Sequence, residues 1–144
     1  MDIGVSIKFS NTNDFKALNS YVYLIIKTKI IMTYSSELLK GTLKTIILKL
    51  LSDNKKMYGY EITQKVKELT LDKIQLTEGA LYPTLHGLEA DKLVTTEIEY
   101  IGKRMRKYYR LSQQGKIITK EKVKELSNFM ESMVSLLEVK PKKP

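Results

Sequence analysis

Nine side chains between Lys103 and Lys124 carry positive charge (Lys103, Arg104, Arg106, Lys107, Arg110, Lys116, Lys120, Lys122 and Lys124), against one acid, Glu121. A local excess of this size suits a polyanion or an anionic membrane surface, although a solvated basic face would have the same composition. Little else could support chemistry. The chain has no Cys and one His, no glycine-rich phosphate loop and no paired carboxylates, so nucleophilic and metal-assisted catalysis lack their usual groups. His86 and Glu89 stand at i, i+3 on one helix face and are the nearest approach to a metal pair. Two ligands on an exposed face make a poor site, and a surface or groove-facing histidine is the simpler reading. The residues point to binding, with no catalytic residue, cofactor or metal expected.

A chain of 144 residues, 42% hydrophobic and 28% charged, supports one core with attachments rather than two ordinary domains. No stretch reaches the ~18 consecutive apolar residues of a membrane span. The nearest, "YVYLIIKTKIIM", is interrupted by Lys27 and Lys29. Asp2 follows Met1 where a signal peptide needs a basic region, and the lack of Cys agrees with a reducing compartment, so the chain is expected in the cytoplasm and off the membrane. Residues 1–33 read as an N-terminal extension, of strand type or short-helix type. "MTYSSELLKG" from Met32 reads as a natural start, so residues 1–31 are expected to lie upstream of the native protein.

The elements that must position the basic run begin at Ser36. It caps a first helix, with Leu39, Leu43, Ile46, Ile47, Leu50 and Leu51 at helical intervals, ending near "SDNKK". "YGYEITQKVKEL" gives a second, with Tyr58, Ile62, Val66 and Leu69 on one stripe. "TEGALYPTLHGLEADKL" gives a third, capped by Thr77, with Leu81, Leu85 and Leu88 buried and Glu78, Tyr82, His86 and Glu89 on another face. Pro83 in its second turn removes one donor and crowds the Gly79 carbonyl, at a cost of roughly 3 kcal/mol in mid-helix and less near the N-terminus. The period then changes from helical to alternating. "LVTTEIEY" places Val94, Thr96, Ile98 and Tyr100 on the buried side of a half-buried strand, Gly102 turns the chain, and "RKYYRLS" returns with Lys107, Tyr109 and Leu111 on one side. Ser112 caps a final helix of about 28 residues, ~42 Å long, reaching about Val139, and "KPKKP" (140–144) is a basic, solvated tail.

This order describes a winged helix-turn-helix, mainly α with a small two-stranded β-wing, over residues 34–111, followed by a dimerisation helix over 112–139. In such folds a recognition helix enters the major groove by its N-terminal residues. An open first turn, whose backbone donors can meet phosphate, matters more there than unbroken hydrogen bonding, which accounts for Pro83. "LLKGTLKTIILKLL", "MYGYEI", "TEGALYPTLHGLEADKLV" and "RKYYRLSQQGK", in this order and spacing over residues 38 to about 118, resemble the PadR family of transcriptional regulators, in its shorter subfamily with a single C-terminal helix. The resemblance implies a homodimeric winged-helix protein that binds double-stranded DNA, usually a repressor and often released by small apolar or phenolic effectors.

The resemblance also implies contacts. Tyr60 is the phosphate candidate, while Tyr58 reads as core. Thr77, Gly79 and Tyr82 supply a hydroxyl cap, room for close backbone approach and a phenol facing the groove. Lys103, Arg104, Arg106 and Lys107 form the basic wing, touching phosphate or entering the minor groove. The third helix departs from an ordinary base reader, because it holds Glu78, Glu89 and Asp91 but no Lys or Arg. Bidentate Arg-to-guanine readout is absent from it, so affinity is expected from the wing and from Lys40, Lys44 and Lys73, with specificity partly through DNA shape.

On the final helix, Val123, Leu126, Met130, Met133 and Leu137 form an a/d seam expected to meet a second copy. Phe129, Val134 and Leu136 widen the stripe enough for packing on the chain's own first helix as well. Phe129, Met130 and Met133 suit an adaptable effector pocket or an ordinary dimer core. The competing reading is a winged-helix protein-interaction module without specific DNA binding. Such a module has no need of the Lys103–Lys107 cluster, and a membrane-surface protein should lack the apolar seam.

Overall fold

The computed structural model describes residues 34–138 and Ser20, so the expectations for the N-terminal extension and the 140–144 tail lie outside the described residues. The elements are α1 (Ser36–Lys40), α2 (Leu43–Asp53), β1 (Met57–Tyr58), α3 (Gly59–Leu69), α4 (Glu78–Ala90), β2 (Val94–Ile101), β3 (Arg104–Leu111) and α5 (Gln113–Leu136). The expected first helix is therefore two. Gly41 is a poor helix former, and the Thr42 hydroxyl bonds back to the Leu39 carbonyl at 3.2 Å, closing α1 before α2 begins. The cap of α1 is Ser35 rather than Ser36.

Helix α2 runs through the centre of the core. Ile47 and Leu48 on α2, Ile62 on α3, and Leu85 and Leu88 on α4 have no exposure, and Leu81 almost none. The helical spacing that predicts α4 thus holds, whereas the stripe on α3 stops early: Leu69 is exposed. Thr77 caps α4 by accepting from Ala80 N at 3.2 Å. Pro83 deprives the Gly79 carbonyl of its i+4 donor on a residue open to water, which keeps the cost of that proline low. Helix α4 ends in a Schellman arrangement. Leu93 N donates to Leu88 O at 2.9 Å and Lys92 N to Glu89 O at 3.0 Å, with Lys92 in the left-handed region at φ 57°.

The sheet is three-stranded and antiparallel, in the order β1-β3-β2, rather than a two-stranded hairpin. Met57 pairs with Tyr109 and Tyr58 with Tyr108. Two residues are too short to show a period, so β1 was absorbed into the helical stripe of the second helix. Tyr58 accordingly lies half-buried on the sheet's outer face and is not a core residue. The hairpin between β2 and β3 turns at Gly102, whose φ of 62° is open to glycine at little cost. Strand β2 is buried only at its base. Val94 is 3% exposed but Ile98 is 56% and Tyr100 73%, because the strand continues beyond the core into the wing.

Helix α5 is locked to this base. Ser112 Oγ accepts from Gly115 N at 2.9 Å and donates to the Lys92 carbonyl at 2.8 Å, while a side chain at Gly115 would overlap the Leu93 carbonyl oxygen. Ile118 and the buried Thr119 then carry the first half of α5 along α2.

Candidate nucleic-acid interface

The second and third turns of α4, the first turn of α3 and the hairpin half of β3 line an open cleft. Tyr60, Tyr82 and His86 line it from the helices, and Arg104, Met105, Arg106 and Lys107 line it from β3. Five of the eight residues expected to touch DNA therefore come together from three elements. Thr77 and Gly79 stand exposed at the start of α4, and Lys103 sits at the exposed hairpin tip.

Each side chain has a local reason for its place. The Tyr82 ring lies on Gly59, where a methyl group would stand 2.7 Å from the phenol oxygen, so the glycine of "YGYE" is the seat of the tyrosine of α4. Tyr82 keeps 39% exposure. Gly79 has nothing within 4 Å of where a Cβ would stand, so no contact within the protein requires a glycine there. Tyr60 is 61% exposed and stacks on Tyr58, centroids 6.3 Å apart at 23°. Tyr58 also meets Tyr108 edge-on at 5.4 Å and carries the Arg106 guanidinium over its ring at 4.5 Å. Tyr58 thus gathers Tyr60 and Arg106.

The charges of the wing are sorted by face. Residues directly opposite across the ladder share a side of the sheet, which places Arg106, Tyr108 and Arg110 with Glu97 and Glu99 on the outer face, and Met105, Lys107 and Tyr109 with Ile98 and Tyr100 on the face toward α4. On the outer face Lys56 bonds to Glu97 at 2.6 Å and to Glu99, and these two carboxylates hold the ammonium above its ordinary range. On the inner face Lys107 Nζ bonds to Glu89 Oε2 at 2.9 Å, which holds the Glu89 carboxyl below its usual range.

Two lysines expected at DNA have partners within the chain. Lys107, expected on DNA, is engaged with α4. Lys44, expected to flank the interface, is bonded to Asp91 at 2.7 Å, at the far end of α4 from its first turn. The acids of α4 are correspondingly less of an obstacle than the sequence suggests: Glu89 and Asp91 are both neutralised, leaving Glu78 in the first turn. Among the described residues, Lys103, Arg104 and Arg106 make no ion pair with a carboxylate. Sequence reasoning missed Met105, the seat at Gly59 and the partnership of Tyr58 with Arg106. The adjacency in "MYGYE" was the available signal for the last two.

On α5, Val123, Leu126 and Met133 are half-buried, while Phe129 is 57%, Met130 53% and Leu137 66% exposed. In a single chain Phe129, Met130 and Met133 form an open strip rather than an enclosed pocket.

Three helices, a sheet-borne hairpin and a recognition helix beside it define a winged helix-turn-helix protein. The model of the PadR-like family of transcriptional regulators matches residues 47–121, just over half of the chain. The transcriptional regulator Rv3488 of Mycobacterium tuberculosis is 35% identical over 80 residues, 56% of this chain and 71% of that protein. Among solved structures, a transcriptional regulator from Clostridium thermocellum matches with a TM-score of 0.65 at 28% identity, over 73% of this chain and 100% of that one. A PadR family transcriptional regulator from Eggerthella lenta matches with a TM-score of 0.62 at 26% identity, over 83% of this chain and 99% of that one. The chain belongs to the PadR-like family of transcriptional regulators. No helix among the described residues is long and apolar enough to cross a membrane.

Proposed function

We propose that this regulator is a sequence-specific DNA-binding repressor that acts in the cytoplasm as a homodimer and leaves its operator when a small apolar or phenolic effector binds. The cleft between α4 and the wing is the observation that carries the reading. It presents the Tyr60 and Tyr82 phenols and two arginines that make no ion pair among the described residues, and the N-terminus of the same α4 is exposed at Thr77 and Gly79. Thr77, Gly79 and Tyr82 bring the start of α4 to the major groove, and Lys103, Arg104 and Arg106 hold the adjacent backbone or minor groove. With no cation on α4 for direct base readout, most of the affinity is electrostatic and falls steeply with salt.

The exposed strip of Phe129, Met130 and Leu137 supports the homodimer. A second α5 laid against Val123, Leu126, Met130, Met133 and Leu137 would cover it and present two α4 helices to paired half-sites. An effector pocket at Phe129, Met130 and Met133 would then form between two copies. The test is a gel-shift titration against the DNA upstream of its own gene, at two salt concentrations and with unrelated competitor, for the wild type and an Arg104→Ala/Arg106→Ala variant. Competitor-resistant binding that the variant loses supports the reading. Binding equally strong in the variant removes the wing from it. Light scattering on Met133→Glu tests the dimer, which an unpaired buried charge should dissociate.

A further inference from the structure

The basic run does not end at the wing. Arg110, Lys116 and Lys120 border a second, separate cleft together with Lys55, where the end of α2, the end of β3 and the first turns of α5 converge. Arg110 stands on the same outer face of β3 as Arg106 but four residues further along the strand, at its α5 end, and the two clefts share no lining residue. Its base is formed by Leu51 and Leu111, both nearly buried. Ser52 and Asn54 add hydrogen-bonding groups at the edge.

The charge balance is one-sided from every element. Asp53 is the acid among the lining residues, and Lys49 already holds it at 2.6 Å. Glu97 reaches Arg110 only at 3.4 Å, and its shorter bond goes to Lys56 at 2.6 Å. Along α5, Lys116, Lys120 and Lys124 repeat at i, i+4 and i+8 with no acid in the row. Like charges at that spacing oppose the helix. Among the described residues, neither Lys116 nor Lys120 makes an ion pair. The nearby pair of Lys122 with Glu125, at 2.7 Å, lies outside the cleft lining.

We propose that this cleft binds a small multivalent anion of the phosphate class, such as an oligophosphate or a phosphate ester. Four cations from α5, β3 and the segment after α2 converge on one opening of ≈ 520 Å³, too much charge for a single carboxylate and sufficient room for two or three linked phosphoryl groups. The anion would relieve the lysine row and tie α5 to the winged domain. This proposal does not rest on the DNA-binding reading, because none of its cations is among those assigned to DNA.

Inorganic tripolyphosphate is the probe, titrated at constant ionic strength into the full chain and followed by calorimetry and by the amide resonances of Ser52–Lys55. Lys116→Ala/Lys120→Ala should bind it at least about tenfold more weakly than wild type, since two charge-assisted contacts are lost, while Arg104→Ala/Arg106→Ala should bind it normally. The lysine substitutions lie on an exposed helix face and remove a repulsion, so circular dichroism should show an intact fold. The same tripolyphosphate affinity in the lysine variant, or loss of it in the wing variant alone, overturns the assignment. A duplex-DNA arm separates the two sources of phosphate. If the lysine variant loses DNA affinity as fully as the wing variant, the cations belong to a DNA footprint and the small-anion site is refuted.

Discussion

Lys107 on β3 and Glu89 on α4 are bonded at 2.9 Å, and the Thr96 hydroxyl holds the second Glu89 oxygen at 3.1 Å. This strut fixes the wing's distance from the recognition helix. Both side chains are 37% exposed, so solvent screening holds its contribution to stability below about 1 kcal/mol. The Lys107 bond is the main cause of the lowered Glu89 carboxyl. The contribution is therefore present above the unfolded value near 4.3 and lost as pH falls through the lower folded value. Lys107 is raised by Glu89, so at the alkaline end the contribution lasts until pH climbs through the folded lysine value. Glu89→Gln should cost under about 1 kcal/mol in urea unfolding at pH 7, with the difference from wild type shrinking as pH falls below the ordinary carboxylate range. Its effect on discrimination between operator and competitor DNA should be larger than its effect on stability, because the wing loses its fixed position.

Glu78 is the remaining acid of α4 and sits in the first turn beside Gly79. There it favours the helix dipole and opposes phosphate. Glu78→Gln should strengthen binding to every duplex severalfold and weaken the isolated fold by a few tenths of a kcal/mol, roughly the value of one charge at a helix end. Filter binding on specific and random DNA checks the first part. A gain confined to the operator would mean that Glu78 reads sequence instead of repelling backbone.

The glycines in the first turns of α4 and α3 should respond in opposite ways. Gly79 meets nothing within the protein, so Gly79→Ala should stabilise the helix by up to about 1 kcal/mol while weakening DNA binding by blocking close approach. Gly59 is covered by Tyr82, with a Cβ placed 2.7 Å from the phenol oxygen. Gly59→Ala should therefore destabilise by about 1–3 kcal/mol, the usual range for an overpacked site, or displace Tyr82. Thermal unfolding together with gel shift separates the pair.

Lys92 supports the corner between α4 and β2 from the left-handed region, at φ 57°, with an exposed side chain. Its backbone makes the bonds that matter, since its carbonyl accepts from Ser112. Lys92→Gly relieves the backbone strain without removing a buried contact. The midpoint of urea unfolding should rise, equivalent to about 1 kcal/mol.

The pattern of the chain made α4 and α5 legible because Thr77 and Ser112 are side-chain caps and because Leu81, Leu85 and Leu88 repeat over three turns. The basic wing was legible for a simpler reason: Lys103, Arg104 and Arg106 fall within four residues directly after a glycine turn. What was not legible depends on pairings between residues distant in the chain. The partner of Lys107 is 18 residues away and that of Lys44 is 47, and neither spacing carries a local period. Strand β1 escaped because a two-residue ladder gains its identity from β3, and Ile98 and Tyr100 were misread as buried because alternation reports a face without saying how far the core extends beneath it.

The ring of Tyr58 restrains Arg106 before any ligand arrives. The guanidinium lies 4.5 Å over the ring, and Tyr60 stacks on the ring at 6.3 Å. An exposed cation–π contact is worth about 0.5–1 kcal/mol, and a preordered arginine loses less side-chain freedom when it closes on phosphate. Tyr58→Phe keeps the ring and should leave DNA affinity within about twofold of wild type, well under 1 kcal/mol. Tyr58→Leu removes the π face and should weaken binding about three- to fivefold, the equivalent of that contact, and the loss should shrink when Arg106 is already alanine. Equal losses with and without Arg106 would mean that Tyr58 acts through Tyr60 or the sheet, and a loss in Tyr58→Phe would instead make its hydroxyl a contact in its own right.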